Sequence, residues 1–322
     1  FEKVFEAYRR CHKHNMYYND RHLTKEFEEK AKAELNELDG NRAECWNEIE
    51  SWALDKYQLK FRIGDLWLLN TLRSCKFNAN SAKKKLEAYL NLKCVAPEMF
   101  GNRDPALAHI QELLNKSALI SFGTPDQDCI LIRWGVLEPH VTKISDVLKL
   151  SSMLLDVYLN ESETCMLVGQ HVIIDLEGFT GFMKQLTPRF LKNVFCDFFN
   201  AYPCRIKGLY MINTTKLLEK TLKFAKLFMS ENMASTTHAF GMNYNELFSI
   251  IPQEYFPREY GGSCTSVDEL ADVLKENLGR NRKWFLDNPL HTIHSGDNLK
   301  RRRSQTMLHN FYNLFKKNEK EP

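Results

Sequence analysis

The sequence predicts an α/β protein: an all-helical N-terminal module, residues 1–115, then an α/β domain with a mostly parallel sheet, residues 116–285. A basic amphipathic tail, residues 286–322, follows. Three observations carry this. Apolar residues before about 115 recur only at helical spacing. After 120, the short runs Ile130-Leu131-Ile132, Val172-Ile173-Ile174 and Leu209-Tyr210-Met211-Ile212 alternate with helix-period segments, the pattern of buried parallel strands. From 291 the periodicity is weak until Met307, Leu308, Phe311, Leu314 and Phe315, a short amphipathic stretch behind Lys300-Arg301-Arg302-Arg303.

The helices follow in order. Residues 23–38 are rich in Glu, Lys, Ala and Leu and are expected to stop near Asp39-Gly40. A shorter helix is expected over 49–57. Asp65 then precedes Leu66, Leu68, Leu69, Leu72 and Arg73 at helical spacing. The segment 81–92 repeats that pattern, with Asn80 or Ser81 as its cap, and Asp104-Pro105 has the form of another helix start. In the second domain Thr187 and Pro188 open a helix whose apolar face is Phe190, Leu191, Val194, Phe195, Phe198 and Phe199, ended by Ala201-Tyr202-Pro203. The segment 214–233 is read as one helix. It carries Leu217, Leu218, Leu222, Phe224, Ala225, Leu227, Phe228 and Met229, an apolar arc too wide for one contact face. Such a helix needs cover on more than one side, or an apolar ligand.

Composition bounds the function. The chain has 322 residues, 43% hydrophobic and 26% charged, enough to bury a sizeable core. No apolar run approaches the roughly 20 residues of a membrane span. A net charge of +3 is too balanced for a dedicated nucleic-acid binder. Residues 291–322 hold seven basic and three acidic side chains, so the remainder sums to −1 and attraction to anionic surfaces concentrates in the tail. Nine cysteines without a Cys-x-x-Cys pair leave at least one thiol free and fit a reducing cytosol. The charged, helix-like first 30 residues lack a signal-type apolar core, although a start at Phe1 leaves processing open. A cytoplasmic monomer with peripheral membrane association is expected.

Catalytic and metal signals are weak. Asp175 and Glu177 lie two apart in an extended segment, on one face, where acid–base or metal chemistry is conceivable; their place beside Gly178 fits an ordinary turn better. Cys11, His12 and His14, and His291 with His294, lack the matching half of a zinc site. No phosphate loop, Gly-x-Gly-x-x-Gly or Gly-x-Ser-x-Gly motif occurs. No catalytic residue, metal or cofactor is assigned.

Five segments in register resemble the CRAL-TRIO family of lipophilic-ligand carriers, in the branch of the tocopherol-transfer and retinaldehyde-binding proteins. They are Leu68-Leu69 through Leu72-Arg73 with Lys76-Phe77-Asn78; Ile174-Asp175-Leu176-Glu177-Gly178; Leu186-Thr187-Pro188; Tyr202-Pro203-Cys204-Arg205-Ile206-Lys207-Gly208; and Ile251-Pro252 through Phe256-Pro257-Arg258-Glu259-Tyr260-Gly261-Gly262. The resemblance covers about 60–285. It implies an α/β domain whose sheet floors a closed apolar cavity under a mobile helix, here 214–233, and a structural role for Asp175 and Glu177.

On that basis the expected function is an intracellular carrier that encloses a hydrophobic small molecule, such as a tocopherol, retinoid or carotenoid, and exchanges it with membranes. The cavity residues expected are Leu148, Ser151, Leu155, Ile174, Val194, Tyr202, Leu209, Leu218, Ala225 and Phe228, with Ser151 and Tyr202 as polar handles. The branch also implies a basic cluster for phosphoinositide headgroups, matched by Arg205 and Lys207, with Arg73 and Lys76 nearby. Three further basic positions of that branch are Cys75, Asn232 and Thr236 here, so the site is thinned. The charged tail is expected to substitute in part. The rival readings are a membrane-recruited signalling or scaffold protein that reads a headgroup without a tight cavity ligand, and a lipid-modifying enzyme.

Overall fold

The computed structural model describes residues 24–59, 65–124, 127–242 and 244–287. The basic tail, Cys11, His12, His14, His291 and His294 lie outside the described residues. Helix α1, Lys25–Leu35, starts at Thr24, whose hydroxyl accepts from the Phe27 amide, and ends at Asn36 in the left-handed region (φ 58°). The stop therefore falls at Asn36. Asp39-Gly40, expected to break the chain, instead opens α2, Asp39–Tyr57, which absorbs the shorter helix expected at 49–57. α3, Leu66–Ser74, is capped by Asp65. α4, Ala79–Val95, is capped by Asn78 rather than Asn80 or Ser81. The short α5, Pro97–Phe100, precedes α6, Ala108–Asn115. Asp104-Pro105 does not start that helix: the Asp104 carboxylate closes a turn by accepting from Ala106 N at 2.9 Å.

The second domain is built on β1, Leu119–Thr124, β2, Gln127–Arg133, β3, Gln170–Asp175, β4, Ile206–Ile212, and β5, Thr237–Phe240. They form one sheet in the order β1-β2-β3-β4-β5, with only the β1–β2 pair antiparallel. The parallel crossovers are α7, Ile144–Glu161, with the single turn α8, Cys165–Val168; α9, Pro188–Lys192, continuing through a π-helical stretch, Asn193–Phe198, into α10, Phe199–Ala201; and α11, Lys216–Ala225, with α12, Glu231–Ser235. α13, Asn245–Ile250, α14, Val267–Arg280, and α15, Arg282–Asp287, complete the described chain. α15 runs across the expected boundary at 285 and buries Phe285.

Strand alternation divides the sheet between two cores. On the back face Ile120, Cys129, Leu131, Ile173, Tyr210 and Ile212 pack with Leu247, Ile251, Phe256 and Leu270. On the front face Leu119, Ile130, Ile132, Val172, Leu209 and Met211 join α7, α11 and the whole N-terminal module in one continuous core. The module and the α/β domain thus share an interior. At its centre Asp156 of α7 is fully buried and receives Trp67 Nε1 at 3.1 Å and Tyr89 Oη at 3.1 Å, with Arg103 Nη1 at 2.5 Å. Cys45, Cys75, Cys129, Cys165 and Cys204 are free thiols. Cys264 is disulfide-bonded and departs from the expectation of a reducing compartment.

Candidate functional site

The front face of the central strands is filled less completely than the back. Ile173 and Ile212, facing backward, have no exposure, whereas Val172 and Met211, facing forward, keep 9% each, and Ile174 is only partly buried. β3 and β4 have neighbours on both sides, so this accessibility reflects space above the sheet. The expected ligand residues are distributed as follows. Leu155, Leu209 and Leu218 belong to the continuous front core, and Leu148 and Ile174 pack against it. Leu148, Ser151 and Leu155 share one face of α7 by their three- and four-residue spacing. Val194 and Ala225 are buried, and Phe228 is half-buried with its ring edge-on to Phe224 at 5.4 Å.

Of the two expected polar handles, Tyr202 is placed differently from expectation. The Tyr202 hydroxyl donates to Ser152 O at 2.7 Å, and its ring packs among Tyr89, Phe100 and Phe198. Tyr202 therefore sits in the junction with the helical module, fully buried, with its proton engaged and its pKa pushed well up by burial. Ser151 donates to Val147 O at 2.8 Å, one turn back in its own helix. Its oxygen retains acceptor capacity, so it suits a donor such as a ligand hydroxyl.

The segment 214–233 is not one helix. α11 runs for 10 residues from its Thr215 cap, a 3₁₀ turn, Lys226–Phe228, follows, and α12 restarts at the Ser230 cap. Lys226 Nζ pins the break by donating to Ala234 O and Thr237 O, both at 2.9 Å. The wide apolar arc resolves into two stripes. Leu218, Leu222 and Ala225 face the interior. Leu217, Phe224 and Leu227 are 54%, 40% and 77% exposed. Leu222, absent from the expected cavity set, follows Leu218 by one turn, and that spacing was the signal for it.

The basic residues divide sharply. Arg73 has no exposure and is held by Glu37 through Nε (2.8 Å) and Nη2 (3.0 Å) and by Glu163 O through Nη1 (2.7 Å). A guanidinium so enclosed is out of reach of a headgroup, which corrects the expectation for Arg73. Lys76 is exposed and Lys207 partly so. Arg205 is partly exposed: Nη1 donates to Met166 O at 3.1 Å and Nη2 to Glu34 Oε2 at 2.7 Å. Gly169, at φ 72°, permits this packing, since a Cβ there would stand 2.9 Å from both Arg205 O and Lys207 Cγ.

Asp175 and Glu177 do not form a carboxylate pair. Asp175 is buried and receives Glu177 N at 3.1 Å, Asn213 Nδ2 at 2.7 Å and Tyr260 Oη at 2.6 Å, whereas Glu177 is exposed. Asp175 thereby ties the ends of β3 and β4 to the 258–260 turn, and its charge adds to burial in raising the Tyr260 pKa. Among the described residues no group of three or more His, Cys, Asp or Glu side chains is arranged to hold a metal, and no helix is long and apolar enough to cross a membrane.

Residues 116–262 match the family model for the CRAL/TRIO domain, and residues 39–110 that for a Pinta-like UBA domain. The mouse protein named alpha-tocopherol transfer protein-like is 25% identical over 251 residues, covering 76% of this chain and 72% of that protein. Clavesin-1 of Pongo abelii is 25% identical over 308 residues, covering 89% and 83%. The crystal structure of Sfh5 aligns over 81% of this chain and 97% of its own at 14% identity, with a TM-score of 0.47.

Proposed function

From a chain whose residues 116–262 match the CRAL/TRIO domain, we propose a carrier that encloses one hydrophobic small molecule and exchanges it with membranes. The observation that carries the reading is local: Val172, Ile174 and Met211 on the front face of β3 and β4 stay partly accessible, whereas Ile173 and Ile212 on the back have no exposure. We assign Leu148, Ser151 and Leu155 of α7 and Leu218, Leu222 and Ala225 of α11, all buried or partly buried, as the walls of that space. Enclosing about 500 Å² of apolar ligand surface is worth roughly 12 kcal/mol before ordering costs. An open groove would leave part of that surface wet, so tight binding requires closure and release requires α11 to move.

The exposed stripe Leu217, Phe224 and Leu227 supports membrane exchange by the same element. An apolar stripe inserted at a bilayer interface would pull α11 away from the sheet while the ligand gains an apolar path. Arg205, Lys207 and Lys76 are the proposed contacts with anionic headgroups. Ser151, which accepts but does not offer a proton outward, favours a ligand with a hydroxyl over one with only carbonyl oxygen.

Native mass spectrometry of the purified chain, followed by organic extraction, tests this. One apolar molecule per chain is expected. A chain that comes out empty, and stays empty after incubation with tocopherol, retinaldehyde and carotenoid, sinks the carrier reading and leaves the headgroup-reading scaffold.

A further inference from the structure

We propose that the end of α2 carries a separate lipid contact: Trp52 and Tyr57, with Glu87 of α4, form a corner that takes the choline group of phosphatidylcholine, while Lys56 moves onto its phosphate. The site belongs to the helical module and takes from the reading above only that the protein meets membranes.

Local structure builds the corner. α2 ends at Tyr57, and Gln58 turns the chain away at φ 56°. Trp52 and Tyr57 stand in the last two turns; both are half-buried and pack against the front core, which fixes their rings. The ring centroids are 5.5 Å apart and the planes cross at 76°. Lys56 Nζ sits where they meet, 5.6 Å from the Trp52 centroid and 5.4 Å from that of Tyr57, and is ion-paired to Glu87. The side chains of Lys56 and Glu87 are 50% and 35% exposed, so solutes reach the pair.

Three attractions for a cation converge there. They are the negative faces of two rings, the Glu87 carboxylate, and the negative end of the 19-residue α2. The Glu87 hydrogen bond holds the Lys56 ammonium above its usual pKa, so the corner keeps its cation at all ordinary pH values. None of the three attractions requires that cation to be a lysine.

A primary ammonium uses the rings poorly. It is compact and strongly hydrated, and its three donors are best satisfied by oxygen. A trimethylammonium has no donor, holds water weakly and spreads its charge over methyl groups that can rest on ring faces. A bare quaternary cation would still have to expel Lys56 and leave that charge without a partner. Phosphatidylcholine supplies the partner, because its phosphate can accept a charge-assisted hydrogen bond from the displaced lysine. After the exchange Glu87 faces choline and Lys56 faces phosphate, so no charge is stranded. Phosphatidylethanolamine carries the same two charges, but its primary ammonium gains nothing from the rings that Lys56 does not.

Sedimentation with vesicles of fixed phosphatidylglycerol content, the remainder phosphatidylcholine or phosphatidylethanolamine, tests the proposal. Wild type is expected to favour phosphatidylcholine about threefold, the scale of a cation–π contact at an exposed site, and Glu87→Gln to lose that preference. Equal ratios for the two proteins overturn the proposal. Soluble probes, read by the upfield ring-current shift of their methyl resonance, separate the parts. Lys56→Gln vacates the corner and removes the phosphate partner. It should tighten tetramethylammonium about threefold and leave glycerophosphocholine unchanged or weaker; equal tightening of both, or of neither, overturns the exchange. A trimethyllysine peptide held more tightly than glycerophosphocholine would assign the corner to a protein partner and overturn the lipid source. Wild type that binds glycerophosphocholine but neither vesicle refutes membrane contact, whereas wild type that binds both vesicles alike refutes the corner.

Discussion

Asp156 shows how much of this interior hangs on one side chain. Its carboxylate gathers Trp67 and Tyr89 from the helical module and Arg103 from the loop after α5, all buried. Removing one partner of such a pair leaves an uncompensated charge and costs about 3–5 kcal/mol. Asp156→Ala is expected to lose that much in a urea titration, and Asp156→Asn somewhat less because the amide oxygen still accepts from Trp67. Loss under about 1 kcal/mol in both would mean that Arg103 finds another partner. His171 gives a pH signature. Burial and the nearby Lys207 charge depress its pKa to about 4, while its Nδ1 meets Tyr210 Oη at 3.0 Å. The unfolded chain therefore binds this proton more readily than the folded one. Stability should be full above about pH 6.5 and fall as pH drops toward 4. His171→Asn should flatten that limb in melting temperature against pH; an unchanged slope would assign it to other groups. Neither residue was legible. The partners of Asp156 lie 67 and 89 residues away, and sequence spacing carries no sign of pairing across such distances. The same holds for Arg73, whose helical spacing said nothing of the carboxylate at Glu37.

At the scale of elements, legibility followed local pattern. β2, β3 and β4 were read because each is a run of β-branched or large apolar residues. β1 escaped notice because Ser121 and Gly123 interrupt it, and β5 because four residues with His238 and Ala239 outward make no alternation to detect. The segment 214–233 stood out by the width of its apolar arc, yet the length of its helix was overestimated. The signal for the break is Ser230, a cap residue that the flanking apolar residues conceal. Its two stripes allow a separable test. Leu218→Asp places a charge on the buried stripe and is expected to abolish ligand retention at a desolvation cost of several kcal/mol. Leu227→Asp alters only the exposed stripe. It should leave retention in detergent intact and slow transfer to acceptor vesicles. Retention by Leu218→Asp equal to wild type would remove α11 from the site.

At the scale of the molecule, the helical module and the α/β domain share a core, and one cooperative folding unit is expected. Buried residues of α3 and α4, among them Leu68, Leu72 and Leu86, lie in the same apolar cluster as Val157 and Tyr158 of α7 and as the sheet's front face. α14 extends the continuity, with Leu270 and Ala271 on the back core and Leu274 and Leu278 on the front. The expected boundary near 115 does not interrupt the apolar packing, since buried residues on both sides of it belong to one cluster. The physical reason is α7. Thirteen of its 18 residues are buried, and one layer of contacts cannot cover that many, so the helix must lie between the sheet and the N-terminal module. Urea unfolding should be one transition, coincident by tryptophan fluorescence and far-ultraviolet circular dichroism, since Trp67 reports the module and the sheet dominates no single probe. A fragment of residues 116–287 would expose Asp156, Ser152 and the apolar residues beside them, and is expected to be insoluble or to melt without cooperativity. Two resolved transitions in the full chain, or a cooperative fragment, would show that the junction is an interface between independent domains.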